Sequence, residues 1–253
     1  MKKIILLSIL FLCNASAANA QKVGNDSAII KIMNRSINDS KYTVEGKSVL
    51  YNMTGRSTEA RIALARVLQY EEDYKSGAME TSRQLLESAF HEGNNSAGLF
   101  LYGFYCCGFI DRHYFPINKE RAVLVLRKVV ANQDNSSGEL DGLLGKLLRD
   151  IGKKEEAVYW LKKSIDQDYI FSASELSNIY SSDDFKDLVK AWFYSDLSGT
   201  SMAKEKHELE QQMTPEQLEQ AQNMSWDWQD AHHVHMPGYR GHGSPIRWHV
   251  EYN

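Results

Sequence analysis

The C-terminal segment concentrates the side chains of this chain that most readily bind metal ions. Five of the eight histidines lie between positions 231 and 253, namely His232, His233, His235, His242 and His249. Imidazole is a favoured ligand of zinc and nickel, and His233 and His235 could share one ion in an extended segment. Their spacing matches no recognised site, and Glu251 is the only acidic residue in this run. We therefore predict an irregular tail that packs along the protein or onto a partner, without a metal ion or another cofactor.

The sequence lacks the motifs of several common catalytic sites. It contains no G-x-S-x-G nucleophile turn, no glycine-rich phosphate loop and no H-E-x-x-H zinc motif. Isolated acidic residues, such as Glu155, Glu156, Asp183 and Asp184, fall where solvated helix faces and turns are expected. We therefore predict that the protein is not an enzyme.

The overall charge argues against two classes of partner. Hydrophobic residues make up 43% of the chain and charged residues 25%, which is ordinary for a soluble globular protein. The formal net charge is −4, and it becomes −6 if the first twenty residues, which include Lys2 and Lys3, are removed. Nucleic acids and anionic lipids both require basic patches. We therefore expect a protein partner, with a basic surface, rather than a nucleic acid or a membrane.

The elements that would position any binding surface are pairs of helices. Paired apolar residues at i,i+4 mark the first helix of each pair: Leu64 with Leu68, Leu101 with Tyr105, Leu144 with Leu148, and Leu176 with Tyr180. The second helices are marked by Leu85, Val125, Trp160 and Tyr194, which follow one another at steps of 40, 35 and 34 residues. A repeat of this length predicts an array of stacked helix pairs, because one pair cannot bury its apolar stripe alone.

The residues of these repeats resemble those of the Sel1-like family, a relative of the tetratricopeptide repeat. Ala97, Leu101, Tyr105 and Gly108 fit the first half of the family's repeat, and the run Lys154–Lys163 (KEEAVYWLKK) fits the second half. The stretch from Met213 to Trp228 resembles the helix that closes many such arrays. The resemblance implies an all-α, right-handed α-solenoid of about four repeats plus a terminal helix, spanning residues 57–230.

The N-terminus predicts export. Lys2 and Lys3 precede an apolar run from Ile4 to Leu12, and Ala18-Asn19-Ala20 forms a cleavage site. The run is far shorter than the ~20 residues of a membrane-spanning helix, and the large Leu12 before Cys13 argues against lipid attachment. We predict a signal peptide at 1–20, cut after Ala20, and a periplasmic protein.

Residues 21–56 are predicted to form an N-terminal capping segment, and residues 231–253 the C-terminal tail. A helix is expected at 27–37, with Asp26 as its N-cap and one apolar face made of Ile29, Ile30, Met33 and Ile37. This helix would cover the open end of the array, as solenoids require, or alternatively serve as a partner-binding arm.

Two adjacent cysteines, Cys106 and Cys107, remain once the predicted signal peptide is removed. We interpret them as small buried residues at the end of a first helix, with a vicinal disulfide or an intermolecular bridge as alternatives. The disulfide in every repeat that characterises the cysteine-rich secreted branch of the family is absent.

The predicted partner-binding residues are aromatic. In helix-pair solenoids the first helices line the concave face, which places Tyr70, Tyr74, Tyr102 and Phe104 there. A loop insertion at 109–118 adds His113, Tyr114 and Phe115. Aromatic side chains are enriched among the residues that dominate interface energies.

The resemblance also suggests a role. Exported Sel1-like proteins include immunity proteins that neutralise phospholipase effectors delivered by type VI secretion, and such proteins bind through a surface without an active site. An envelope adaptor or regulatory scaffold is the alternative, and a hydrolase acting on β-lactams or the cell wall is a third, less favoured one.

Overall fold

The computed structural model describes residues 23–70, 77–107, 117–132, 138–236 and 238–241. Across these ranges the chain forms twelve α-helices and no β-strand, which confirms the predicted all-α class. The chain divides into two compact units, Met1–Gln133 and Asp134–Asn253. No helix in the described part is long and apolar enough to cross a membrane.

In its described residues the first unit contains six α-helices, which pack in chain order. They are α1 (Val23–Asn38), α2 (Thr43–Met53), α3 (Thr58–Gln69), α4 (Ala78–His91), α5 (Asn95–Cys107) and α6 (Lys119–Asn132). Each helix contacts the next, and α1 also contacts α3. The pairs α3/α4 and α5/α6 correspond to the first two predicted repeats, and α1 with α2 precedes them.

The second unit contains the other six helices. They are α7 (Glu139–Asp150), α8 (Lys154–Ile165), α9 (Ala173–Ser181), α10 (Leu188–Leu197), α11 (Ala203–Glu210) and α12 (Pro215–Ala231), with short 3₁₀ turns at Ile170–Ser172, Gly199–Met202 and Tyr239–Gly241. The pairs α7/α8 and α9/α10 form the last two repeats, and the terminal helix α12 packs on α10. Within each unit the stacking of consecutive helix pairs is that of an α-solenoid, while the handedness of the superhelix stays a prediction.

Local sequence signals fix where several helices begin. The hydroxyl of Thr214 accepts a hydrogen bond from the backbone N–H of Gln217 (3.3 Å), and the Gln217 side chain accepts one from the N–H of Thr214 (3.0 Å). This capping box, with Pro215 at the first helical position, starts α12. Asp187 caps α10 by accepting from the N–H of Lys190 (3.0 Å).

The core confirms the predicted first-helix residues and corrects the second-helix ones. Every first-helix residue of the repeat pattern is buried except Leu68, which is half-buried. In the second helices Leu85, Val125 and Trp160 are only half-buried, whereas the following residues, Leu86, Leu126 and Leu161, are fully buried. Tyr194 is buried as predicted and stacks on Tyr180 with a centroid distance of 5.8 Å. Trp160 is therefore not the fully buried anchor that its spacing predicted.

Close approach between paired helices depends on glycines in the first helices. A Cβ atom added to Gly145 of α7 would lie 2.6 Å from Cγ of Leu161 and 3.0 Å from its backbone nitrogen. One added to Gly98 of α5 would lie 2.5 Å from Cγ2 of Val129. Since real Cβ contacts are longer, these glycines set the spacing of the α7/α8 and α5/α6 pairs.

The N-terminal helices differ in detail from the prediction. Helix α1 begins at Val23, so Asp26 lies within it rather than capping it. Ile29 and Met33 are buried in a cluster that includes Leu64 and Val67 of α3, whereas Ile30 is exposed. The first turn of α1 therefore starts earlier than the apolar pattern indicated, and its buried face covers α3.

A buried polar network attaches the terminal helix. Asp196 of α10 accepts hydrogen bonds from Lys206 Nζ (2.8 Å), Ser225 Oγ (2.6 Å) and Gln229 Nε2 (3.3 Å). The Gln229 Oε1 atom in turn accepts from the backbone N–H of Met236 (2.5 Å). Because Asp196, Ser225 and Gln229 are almost completely buried, each needs the partner that the network provides.

The cysteines require a correction. Cys106 is buried at the end of α5, as predicted, but it is disulfide-bonded, so the alternative of a bridge holds for it rather than a free thiol. The side chain of Cys107 lies outside the described part of the structure.

Candidate protein-interaction surfaces

The structure separates the predicted partner-binding residues. Tyr70 follows the last residue of α3 and is 56% exposed, and Tyr102 on α5 is half-buried. Phe104 is only 1% exposed, so its prediction as a surface residue is wrong. Helix α5 is apolar around most of its circumference, and the face holding Phe104 is the one that packs. Tyr74, His113, Tyr114 and Phe115 lie outside the described residues.

Of the two predicted residues that the structure leaves at least partly exposed, Tyr70 lies near a contact that joins α3 and α5. The guanidinium of Arg66 lies 5.1 Å from the centre of the Phe100 ring, which joins the two first helices by a cation–π contact. Tyr70 stands four residues after Arg66, on the same side of the chain. We call Arg66, Tyr70 and Phe100 the α3–α5 surface; Tyr102, two residues after Phe100, lies on the opposite side of α5.

A second surface, which the sequence did not indicate, lies on α8. Tyr159 is 61% exposed, and its ring meets that of Trp160 edge to face with a centroid distance of 5.2 Å. Nζ of Lys163 lies 4.9 Å from the centre of the Trp160 ring. We call Tyr159, Trp160 and Lys163 the α8 surface. The half-buried state of Trp160, with the core position taken by Leu161, leaves its ring partly open to a partner.

A buried carboxylate holds the α8 surface in place. Asp141 of α7 is fully buried, and its two oxygens contact Lys163 Nζ (3.2 Å) and Gln167 Nε2 (2.7 Å). Gln167 also donates to the carbonyl of Lys163 (3.2 Å). A buried carboxylate is tolerated only with such partners. Lys163 is therefore fixed by Asp141 at one side and by Trp160 at the other, so little side-chain freedom remains to be lost on binding.

Exposed aromatic residues continue after α8. Phe171, in the 3₁₀ turn, is 77% exposed, and its ring centre lies 5.4 Å from that of Tyr169. Burial raises the pKa of the Tyr169 hydroxyl, with a further contribution from the charge of Glu139, and burial also raises the pKa of Glu139. Neither group has a reacting partner placed beside it that would indicate catalysis.

The histidines of the described tail make structural contacts. The ring of His232 stacks on Trp228 at 3.9 Å, and its Nδ1 lies 2.8 Å from the Trp228 carbonyl oxygen. His235 packs against Tyr239 with a centroid distance of 4.3 Å. Within the described ranges no group of three His, Cys, Asp or Glu side chains could hold a metal ion. His242 and His249 lie outside these ranges.

One catalytic motif is present in the sequence, the S-x-x-K run from Ser201 to Lys204. In the structure the Ser201 hydroxyl donates to the carbonyl of Ser198 (2.8 Å), while Lys204 is exposed and pairs with Glu208 at 3.5 Å. The serine and the lysine thus have separate partners, and the arrangement is that of an ordinary helix start.

The two units carry opposite formal charges. The first unit contains 17 Lys and Arg against 12 Asp and Glu, and the second contains 12 against 21, which gives +5 and −9. Removal of the predicted signal peptide would lower the first value to +3. The acidic balance of the chain therefore comes entirely from the second unit. The α3–α5 surface lies in the basic unit and the α8 surface in the acidic one.

Comparison with known proteins adds little to this description. No protein-family model matches the chain, and no curated protein matches it significantly. Among solved structures the chain is similar to the crystal structure of c5321, a protective antigen present in uropathogenic Escherichia coli strains that displays an SLR (Sel1-like repeat) fold. The identity is 19% and the TM-score 0.48, over 84% of this chain and 45% of that chain. The chain thus spans less than half the length of that protein. The helix-pair fold is therefore supported by the chain's own helices and the contacts between them.

Proposed function

We propose that this protein is an exported, non-catalytic helical-repeat scaffold of the Sel1-like type that acts by binding another protein. The observation that carries the proposal is the α8 surface, in which an exposed tyrosine and a partly open tryptophan stand beside a lysine fixed by a buried carboxylate. Rigid aromatic residues with a fixed cation are the chemistry of interface hot spots. The repeat scaffold supplies the extended, stable surface on which such a site works.

More specifically, the partner is a secreted toxin or effector that the protein neutralises in the periplasm, as an immunity protein does. This proposal rests on the N-terminal signal pattern and on the resemblance of the repeats. A basic partner would be attracted by the second unit, with its formal charge of −9, rather than by the basic unit that contains Tyr70 and Tyr102. An envelope adaptor remains the second candidate. A toxin or lipase gene beside this one favours immunity, and a sensor-kinase or assembly operon favours the adaptor.

The test is capture of the partner from a periplasmic extract with the chain from Gln21 onward, followed by affinity measurements on variants. Truncation of a hot-spot residue to alanine weakens binding by ~2 kcal/mol or more, which is about 30-fold. We expect this loss for Trp160→Ala and a smaller one for Tyr159→Ala. Leu124→Ala, on an equally exposed residue of α6, is the matched control and should bind normally.

Two results would contradict the proposed mode of binding. Unchanged affinity in Tyr159→Ala, Trp160→Ala, Tyr70→Ala and Tyr102→Ala would exclude both surfaces as well as Tyr102. Binding that does not weaken as salt is raised would exclude the electrostatic attraction of a basic partner. Export has a separate test: the intact mass of the exported protein should lack residues 1–20.

A further inference from the structure

The outer sides of α2 and of the terminal helix α12 differ in charge. Helix α2 buries Leu50 and Gly46 against the neighbouring helices. Its outer side exposes Val44, Ser48 and Tyr51, spaced i, i+4, i+7, with the exposed Glu45 and Asn52 at its edge. Val44 is 74% exposed and Tyr51 68%. Two large apolar side chains exposed on one side of a helix make that side suited to a contact.

Basic residues outnumber acidic ones in this part of the sequence. Between positions 23 and 57 the chain has five Lys and Arg residues, Lys31, Arg35, Lys41, Lys47 and Arg56, against three acidic ones. Lys41 and Arg56 are exposed just before and just after α2. The outer side of α2 therefore exposes two large apolar side chains, Val44 and Tyr51, between two cations, with Glu45 as the one acidic residue of the helix.

Helix α12 has the complementary face. It contains four acidic residues and no Lys or Arg. Its inner side, at Ala221, Ser225 and Gln229, is fully buried, so Glu216, Glu219 and Asp227 fall on the exposed side. These three form no ion pair within the described part of the chain, whereas Asp230 pairs with Arg240 at 2.8 Å.

A tryptophan stands at the edge of this acidic stripe. Trp226 is half-buried, and it lies seven residues after Glu219 and four before Asp230, on the same side of α12. The outer side of α12 thus offers one aromatic ring beside unpaired carboxylates. These are the counterparts of the tyrosine, valine and cations at the outer side of α2.

We propose that two copies of this chain associate head to tail, the outer face of α2 in one copy docking on the acidic face of α12 in the other. Both faces belong to every copy, so the contact is heterologous and leads to a ring where the rotation closes and to longer chains where it does not. The opposite net charges of the two units act in the same direction. This inference is independent of the proposed partner.

The experiment measures the molar mass of the chain from Gln21 onward by sedimentation, over a range of protein concentrations. At low salt, ~0.02 M, the average mass should rise with concentration, and at ~0.5 M it should fall toward that of the monomer, because exposed charges are screened. Tyr51→Ser should weaken the association without changing the melting temperature. A monomer at every concentration and salt would overturn the proposal.

Charge reversal gives a sharper test. Glu219→Lys with Asp227→Lys should abolish self-association, and so should Lys41→Glu with Arg56→Glu. When these two variants are mixed, an acidic α2 meets a basic α12, and association should return. The matched control is Glu155→Lys with Asp183→Lys, which changes the charge of the second unit equally at exposed positions away from α12. Loss of association in the control, or no association in the mixture, would refute the docking of these two faces.

Discussion

The packing of Leu161 onto Gly145 leads to a prediction that tests the register of the second helices. Leu161 is fully buried, so Leu161→Ala should lower the free energy of unfolding by about 2–5 kcal/mol. Trp160 next to it is half-buried, and Trp160→Ala should cost less, about 1–2 kcal/mol. Leu161→Ala should therefore be the more destabilising of the two variants. The repeat spacing alone would give the opposite order, because it predicts that Trp160 is the buried residue.

Gly145 allows the same contact to be tested from the other helix. Alanine at this position gains about 1 kcal/mol of helix propensity, but its Cβ would lie 2.6 Å from Leu161 Cγ. Overpacking of this kind costs about 1–3 kcal/mol, so Gly145→Ala should be neutral or destabilising. Combined with Leu161→Ala, the new methyl group occupies part of the vacated space. The double variant should therefore be more stable, by at least ~0.5 kcal/mol, than the sum of the single changes predicts.

Tryptophan fluorescence is a suitable assay for these variants. All five lie in the second unit, so their fluorescence during urea unfolding reports on that unit. Gly55→Ala is the control, because a Cβ at Gly55 would meet no atom within 4 Å, and it should leave the transition of the second unit unchanged. An additive double variant, or a Trp160→Ala that costs as much as Leu161→Ala, would refute the assigned packing of α7 and α8.

Three further predictions concern polar groups in the second unit. Asp187→Ala removes the N-cap of α10 and should cost about 0.5–2 kcal/mol, whereas Asp187→Asn keeps a cap and should cost less, as thermal melting can show. Burial raises the pKa of Glu139 in the folded protein, so ionisation of this carboxyl group destabilises the fold above that pKa. Below the pKa of Glu139 in the unfolded chain the group is protonated in both states and has no such effect. Glu139→Gln should therefore raise the melting temperature at neutral pH, and the gain should vanish below pH ~4. Asp196→Ala leaves the buried Ser225 hydroxyl and the ammonium of Lys206 without their acceptor, while Gln229 keeps its bond to Ser225, and the change should cost about 3 kcal/mol by urea unfolding.

The repeat pattern was sufficient for the first helices and insufficient for the second ones. An apolar stripe on a helix is at least about 100° wide, which is the angle between consecutive residues. Val125 and Leu126, or Trp160 and Leu161, therefore fit the same stripe, and only the facing helix decides which of the two is fully buried. At α7/α8 that decision depends on Gly145, which leaves room for Leu161.

The binding surfaces were less predictable than the fold. The sequence does not show that Phe104 is buried, because a first helix with apolar residues on most sides gives no indication of which side packs. The immobilisation of Lys163 could not be predicted either, since it depends on Asp141, 22 residues away on another helix. The opposite formal charges of the two units could be predicted from the sequence, but only by counting the charged residues of each half of the chain separately.

The hydrogen bond between the Gln229 side chain and the backbone of Met236 ties residues beyond the last α-helix to the core of the second unit. Regular helix ends at Ala231, and a truncation there would seem harmless from the secondary structure alone. Met236 is nevertheless buried, and its amide is the hydrogen-bond donor to the buried Gln229 side-chain oxygen. If a protease removed the residues after Ala231, the buried Gln229 side-chain oxygen would lose its hydrogen-bond donor, beside the hydrogen bonds that Asp196 accepts. A C-terminal truncation that keeps this hydrogen bond therefore has to end beyond the last α-helix, after Met236 rather than at Ala231.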